Sequence, residues 1–219
     1  MISESFIKAK RDYQYLLEKG FPQKGIIKLI GDRYALSGTE RTLLYRGITT
    51  KENIAHRKSK KAQVQDVKSK NLLIDGYNVM ITIGNYLNGN LVFISNDHFL
   101  RDAAEMHGKV FRNKMMDKVL GLLLEDLIYL KISRCEIYFD KPVSKSGELA
   151  AKVSEHLIQA GLNGHAETAE SPDHTLKKIN FGFIATSDSS IIDKSKVKVF
   201  DLARHVISRN FRPRVLDLR

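Results

Sequence analysis

Three apolar runs that each stop at an aspartate constrain this chain more than any other feature in it. They are Leu72-Leu73-Ile74-Asp75, Cys135-Glu136-Ile137-Tyr138-Phe139-Asp140 and Phe181-Gly182-Phe183-Ile184-Ala185-Thr186-Ser187-Asp188. A short apolar run that ends abruptly in a carboxylate reads as a buried parallel strand whose acid emerges at the carboxyl edge of the sheet, where open α/β folds build their sites. Helical patterns alternate with these strands, which predicts a parallel sheet with right-handed crossovers. Carboxylates that converge on one edge repel each other unless a cation neutralises them. The pattern therefore implies Mg²⁺ or Mn²⁺.

The first part of the chain has a different grammar. Phe6, Ala9, Tyr13, Leu16 and Leu17 recur at helical spacing until Gly20-Phe21-Pro22, a second helix is predicted from Gln23 to Tyr34, and a third carries Leu43 and Leu44 after the turn Leu36-Ser37-Gly38. With Arg33, Arg41 and Arg46 at and beyond that turn, the arrangement reads either as a helix-turn-helix nucleic-acid reader or as an ordinary helical hairpin. Residues 51–70 are polar and include His56-Arg57-Lys58-Ser59-Lys60-Lys61, read as a linker or a solvated helix, and as a hydrated tether or a phosphate-binding arm. The expected division is a helical domain over 1–55, a basic linker over 56–70 and an α/β domain over 71–219.

Within the α/β part, helices are predicted near Val79–Leu87, Asn113–Leu130, Glu148–Ala160 and Thr175–Ile179, with a closing helix after a last strand, Val197–Asp201. Leu91–Ile94 reads as a short strand, followed by Ser95-Asn96-Asp97 as the cap of a helix that includes Arg101, Asp102 and Glu105. The stretch between Ala160 and Ser171 reads as a polar connector.

Charge and motifs narrow the chemistry. The net charge is +11, and residues 1–70 hold 16 Lys or Arg against 7 Asp or Glu, while the remainder holds 20 against 18. A localised basic surface fits a polyanion such as nucleic acid; solubility is the plainer reading. The single cysteine, Cys135, lies in an apolar run, which removes disulfides and thiolate metal sites as organising principles. The His residues show no zinc spacing, and neither a GxGxxG turn, a P-loop nor an aspartyl-phosphate DxD follows any predicted strand. No stretch reads as a signal peptide or a membrane span, so a soluble, cytoplasmic chain is expected.

Taken in order, Ile74-Asp75-Gly76-Tyr77-Asn78, the strand ending in Asp140, Ser171-Pro172-Asp173-His174 before a helix, and Ala185-Thr186-Ser187-Asp188 resemble a PIN-like nuclease domain, closest to its NYN branch, over roughly residues 70–205. The first 70 residues resemble an uncharacterised helical domain found fused ahead of such domains. The resemblance implies a Rossmann-like three-layer fold and a Mg²⁺- or Mn²⁺-dependent ribonuclease that leaves a 5′-phosphate and a 3′-hydroxyl. It implies Asp75, Asp173 and Asp188 as metal ligands, with Asp97 or Asp140 completing the catalytic acids and RNA as the expected partner.

Each candidate also has a plainer use. Asp97 serves equally as a helix cap, Asp102 as a surface ion pair with Arg101 or Lys109, and Asp140 as a turn residue. Asn78 either orients water or phosphate or caps the following helix. Ser144 and Lys145, in the loop after Asp140, are candidate phosphate contacts. Ser187 and Thr186 are expected to hydrogen-bond the acids from behind. Arg101, Lys109, Arg112 and Lys114 either steer an RNA strand or form a solvated face. Two further readings stand beside the nuclease: a nucleic-acid-binding or regulatory module without turnover, and a metal-dependent phosphohydrolase of small phosphoesters.

Overall fold

The computed structural model describes residues 3–103 and 113–219. Glu105, His107, Lys109 and Arg112 from the reading above, and the side chain of Lys114, lie outside the described residues. The chain begins with α1 (Glu4–Glu18), α2 (Gln23–Arg33), α3 (Gly38–Gly47), α4 (Lys51–Lys60) and α5 (Val64–Val67). It continues through β1 (Asn71–Asp75), α6 (Gly76–Leu87), β2 (Val92–Ile94), β3 (Leu100–Asp102), α7 (Asn113–Tyr129) and β4 (Arg134–Asp140). There follow α8 (Ser146–Gln159), β5 (Gly164–Ala169), α9 (Pro172–Lys178), β6 (Phe183–Ala185), α10 (Ser189–Lys194), β7 (Val199–Phe200), α11 (Leu202–Phe211) and β8 (Leu216–Asp217). None of the described helices is long and apolar enough to cross a membrane.

The contacts divide the chain into two compact units, one of residues 1–59, 90–104 and 214–219, the other of 60–89 and 105–213. The first unit buries the predicted helical face, Phe6, Ala9, Tyr13, Ile26, Ile30, Leu43 and Leu44, and adds Phe93 and Leu218 from distant parts of the sequence. Local chemistry starts its helices: the Ser3 hydroxyl accepts from Phe6 N, and Ser37 and Glu40 form a reciprocal capping box. Gly47 is required by close approach, since a Cβ there would sit 2.6 Å from Leu218 Cδ1 and 2.8 Å from Phe93 Cε2.

A helix was expected after Ser95-Asn96-Asp97; the structure has a hairpin instead. β2 pairs antiparallel with β3, Phe93 opposite Arg101, and β8 adds to the other side of β2 in parallel. The turn places His98 at φ 74°, a left-handed conformation a starting helix does not contain. Ser95 and Asp97 mimic a cap at short range: the Asp97 carboxylate accepts from Phe99 N at 3.3 Å, an Asx-type turn rather than a helix start.

The second unit is a five-stranded, wholly parallel sheet in the order β5-β4-β1-β6-β7. Its centre is the Asp75 run: Leu72, Leu73 and Ile74 are at most 1% exposed, as expected for a strand covered on both faces. α6, α7 and α11 pack together, and Lys152 Nζ reaches Asp117 Oδ1 at 2.6 Å to tie α8 to α7. β5 was read as connector, because Gly164-His165-Ala166-Glu167-Thr168-Ala169 carries neither an apolar run nor a β-branched core. It is an edge strand with its apolar support on one side. Gly164 lets it approach, since a Cβ there would overlap the Cys135 carbonyl.

Candidate functional site

Strand order decides where the acids meet. From β1 the chain steps outward to β4 and then β5, and it returns to the other flank of β1 for β6 and β7. The strand order therefore reverses between β1 and β6, the kind of switch point at whose carboxyl end open α/β sheets build their sites. Asp75 ends β1, and Thr186-Ser187-Asp188 follows directly on β6.

Asp75 is 7% exposed and caps α6, its Oδ1 accepting from Asn78 N at 3.3 Å. Its Oδ2 accepts from the Thr186 hydroxyl at 2.9 Å. The same hydroxyl oxygen accepts from Asp188 N at 3.1 Å, so one buried threonine fixes both strand-end acids. Asp188 in turn caps α10, its Oδ1 accepting from Ser190 N at 2.7 Å and Ile191 N at 3.2 Å. The Asn78 carbonyl Oδ1 accepts from Ser187 N at 2.8 Å and Ser187 Oγ at 3.1 Å, closing a second link between α6 and the segment after β6. Asn78 and Ser187 thus hold the two strand ends together. Gly76 allows the tight start of α6, since a Cβ would lie 2.5 Å from the Phe139 ring of β4.

Burial pushes the Asp75 carboxyl up to about 7; the bonds from Thr186 and Asn78 offset part of this, and the charges of Asp188 and Asp173 add to it. Asp140, two residues beyond the Tyr138 that stands opposite Asp75, is raised by burial and by Asp173. Of the acids read at strand ends, Asp75 feels the charge of Asp188, and Asp173, given by the resemblance, acts on both Asp75 and Asp140. Among the described residues no three His, Cys, Asp or Glu side chains close into a metal-holding group. Asp173, in the first turn of α9, instead pairs with Lys177 Nζ at 3.0 Å, and the same ammonium donates to Ser190 Oγ at 2.8 Å. Ser144 and Lys145 are exposed in the loop after β4, with Lys145 Nζ 4.0 Å from Glu148.

Asp97, expected to complete the catalytic acids, is instead taken up by a buried ion cluster. It belongs to the first unit, 1% exposed, where it accepts from Arg57 Nη1 at 2.8 Å, from Arg101 Nη1 and Nη2 at 2.8 Å each, and from the Ser95 hydroxyl. Burial alone would raise its carboxyl, but the two guanidiniums outweigh that and hold it well below the usual carboxylate range. Arg101 is accordingly committed to a buried ion pair rather than to a solvated or RNA-facing surface. Asp102, read as pairing with Arg101 or Lys109, binds Arg46 at 3.2 Å; Lys109 lies outside the described residues.

The basic first third is also more engaged than its composition implies. Arg41 binds Asp32 at 2.9 Å and the Leu36 carbonyl at 3.1 Å. Lys60 Nζ donates to the carbonyls of Ile192, Asp193 and Ser195 at 3.2, 3.4 and 2.5 Å, covering the carboxyl end of α10. Lys61 meets Asp201 at 3.3 Å, and Ala62 N donates to the Val199 carbonyl at 2.8 Å, lining the β7 edge. Sequence reasoning missed Lys177, although its i,i+4 spacing from Asp173 was the available signal. A further acid, Asp126 of α7, is buried, accepts from Arg209 and Asn210 of α11 at 2.9 Å each, and is structural.

Residues 64–205 match the family model described as Domain of unknown function (DUF5616), and residues 5–60 match Protein of unknown function (DUF434). The chain belongs to the DUF5616 family. It is also 35% identical over 204 residues to Uncharacterized protein MJ0935 of Methanocaldococcus jannaschii, a match covering 93% of this chain and 97% of that one. No solved structure matches the chain. The DUF5616 match spans every acid of the edge, from Asp75 to Asp188.

Proposed function

We propose that the second unit is a PIN-like, Mg²⁺- or Mn²⁺-dependent ribonuclease whose site is the β1/β6 carboxyl edge. The observation that carries this reading is the single hydroxyl of Thr186 bonding both to Asp75 Oδ2 and to Asp188 N, which fixes two acids at the switch point of the sheet. A hard cation suits that donor set: Mg²⁺ is commonly held by one or two carboxylates and keeps several waters. Burial of Asp75 among other acids, unfavourable in itself, is the electrostatic condition that such a cation relieves. Asp75 and Asp188 are the acids that would hold it, with Asp173 and Asp140 flanking. When bound, the cation supplies Lewis-acid charge at a phosphodiester oxygen and activates water.

The chain's own residues do the rest. Thr186 and Asn78 orient the Asp75 carboxylate, and Ser187 clamps Asn78, tying α6 to the segment after β6. Asp75, raised to about 7 without a cation, must shed its proton to bind one, so activity rises with pH and its midpoint moves below that value as the cation concentration grows. This reading implies an RNA substrate met in the cytoplasm.

A second reading, a nucleic-acid-binding module without turnover, draws on one observation: Asp173 is paired with Lys177 and no three-acid group closes among the described residues. Labelled single-stranded RNA and DNA, incubated with Mg²⁺, Mn²⁺ or EDTA, separate the two. Metal-dependent cutting lost in Asp75→Asn and Asp188→Asn supports the nuclease. Absence of cutting in the native chain refutes it, and salt-sensitive binding without cutting favours the second reading.

A further inference from the structure

Lys177 is the ammonium that the fold plants among the edge acids. It lies on α9, one helical turn beyond Asp173, and its side chain is 21% exposed. Asp173 Oδ2 at 3.0 Å and Ser190 Oγ at 2.8 Å receive two of its N–H groups. An ammonium has three donors, so one remains, on a side chain that still touches solvent. Ser190 is itself anchored, its backbone N–H donating to Asp188 Oδ1 at 2.7 Å. Lys177 is therefore held from α9 on one side and from the start of α10 on the other, linked through Ser190 to the acid that ends the β6 segment. A surface lysine with an i,i+4 partner alone gains little and wanders. Two restraints from separate helices fix this one between Asp173 and the start of α10, whose cap is Asp188.

We propose that Lys177 is the phosphate-binding cation of this edge, contacting a backbone phosphate of the nucleic acid next to the bond to be cut, with Asp173 and Ser190 as the residues that position it. The proposal rests on the nuclease reading of the site. The edge acids would otherwise repel a phosphodiester on every side, and the divalent cation neutralises only the phosphate it touches. Lys177 lets the strand's neighbouring phosphate sit beside Asp173 without a second metal. It also gives Asp173 a role other than ligand: it orients the ammonium, and its removal would loosen Lys177 rather than release metal.

The test measures binding of a single-stranded RNA oligonucleotide to the full chain carrying Asp75→Asn in Mg²⁺, across 50 to 200 mM salt, with Lys177 intact, Lys177→Met or Lys177→Arg. Loss of one phosphate contact lowers the slope of log affinity against log salt by about 0.7 on a single strand, so the affinity gap at 50 mM narrows roughly threefold by 200 mM. Lys177→Met is expected to show that loss and Lys177→Arg to restore the slope. In the otherwise native chain, Lys177→Met raises KM several-fold with less effect on kcat, the pattern of a contact made equally in ground and transition states. An unchanged slope, with only a fall in melting temperature, makes Lys177 a brace between α9 and α10 and overturns the proposal. If the native chain cuts and the slope is unchanged, the proposal fails alone; if it does not cut but the slope falls, the nuclease reading fails and Lys177 stands as a phosphate contact of a non-catalytic surface. Absence of any RNA binding overturns both.

Discussion

Replacing Asp75 by Asn should stabilise the protein at alkaline pH while abolishing the proposed activity. The Asp75 carboxyl is raised from an ordinary 3.8 to about 7, so the folded state holds a proton that the unfolded chain has released. Below about pH 4 both states are protonated and the group is silent. Between about pH 4 and 7 the unfolded state binds fewer protons than the folded one, so stability falls as pH rises, and the loss levels off above about 7. A shift of about three units corresponds to about 4 kcal/mol at full development. Asparagine keeps an acceptor for Asn78 N but carries no charge, so its own cost in lost hydrogen bonds is nearly constant with pH. The quantity to measure is the stability of Asp75→Asn minus that of the native chain, from urea unfolding at pH 4 to 9 in EDTA. It should climb by several kcal/mol across that window, equivalent to about 10 °C in melting temperature for a chain of this size. A flat difference would refute the argument, because it would mean that Asp75 is ionised without cost in the folded state and that the edge is not a stored electrostatic strain.

Mn²⁺ added at pH 8 should raise the melting temperature of the native chain and not that of Asp75→Asn, with a gain growing as RT ln(1 + [L]/Kd), followed by differential scanning fluorimetry; equal gains in both would place the cation elsewhere. Thr186→Val removes the hydroxyl shared by Asp75 Oδ2 and Asp188 N; it should cost about 1–3 kcal/mol in denaturant unfolding and reduce cleavage at least tenfold. Asp97→Asn removes the carboxylate that Arg57 and Arg101 both bind and should cost about 3–5 kcal/mol, yet leave the cleavage rate per folded molecule unchanged, since Asp97 is a structural acid of the first unit. Gly76→Ala forces a methyl against the Phe139 ring and should cost about 1–3 kcal/mol, read by thermal unfolding, with α6 and the Asp75 cap displaced.

The central strand, the helical first segment and three of the edge acids were legible because their signals are local. An apolar run covered on both faces is written in consecutive residues, as in Leu72-Leu73-Ile74, and the helical faces of α1 to α3 are written in their spacing. Asp75, Asp140 and Asp188 each stop such a run, so their place at a strand end needed no tertiary information. β5 was not legible, because an edge strand needs little hydrophobicity and Gly164 serves a contact with Cys135 across the sheet.

What only the tertiary structure decided is the fate of charge. Asp97 and Asp188 look alike in sequence, each following a short strand and each able to cap; one accepts two buried guanidiniums from residues 40 and 4 positions away, the other caps α10 and acts on the carboxyl of Asp75. The basic run from Arg57 to Lys61 is written as free charge, but folding commits Arg57 to an anion, Lys60 to three carbonyls and Lys61 to Asp201. Composition counts charges, whereas a carboxylate's pKa and a lysine's availability depend on what stands within a few ångströms, and that is set by chain segments that sequence order keeps apart.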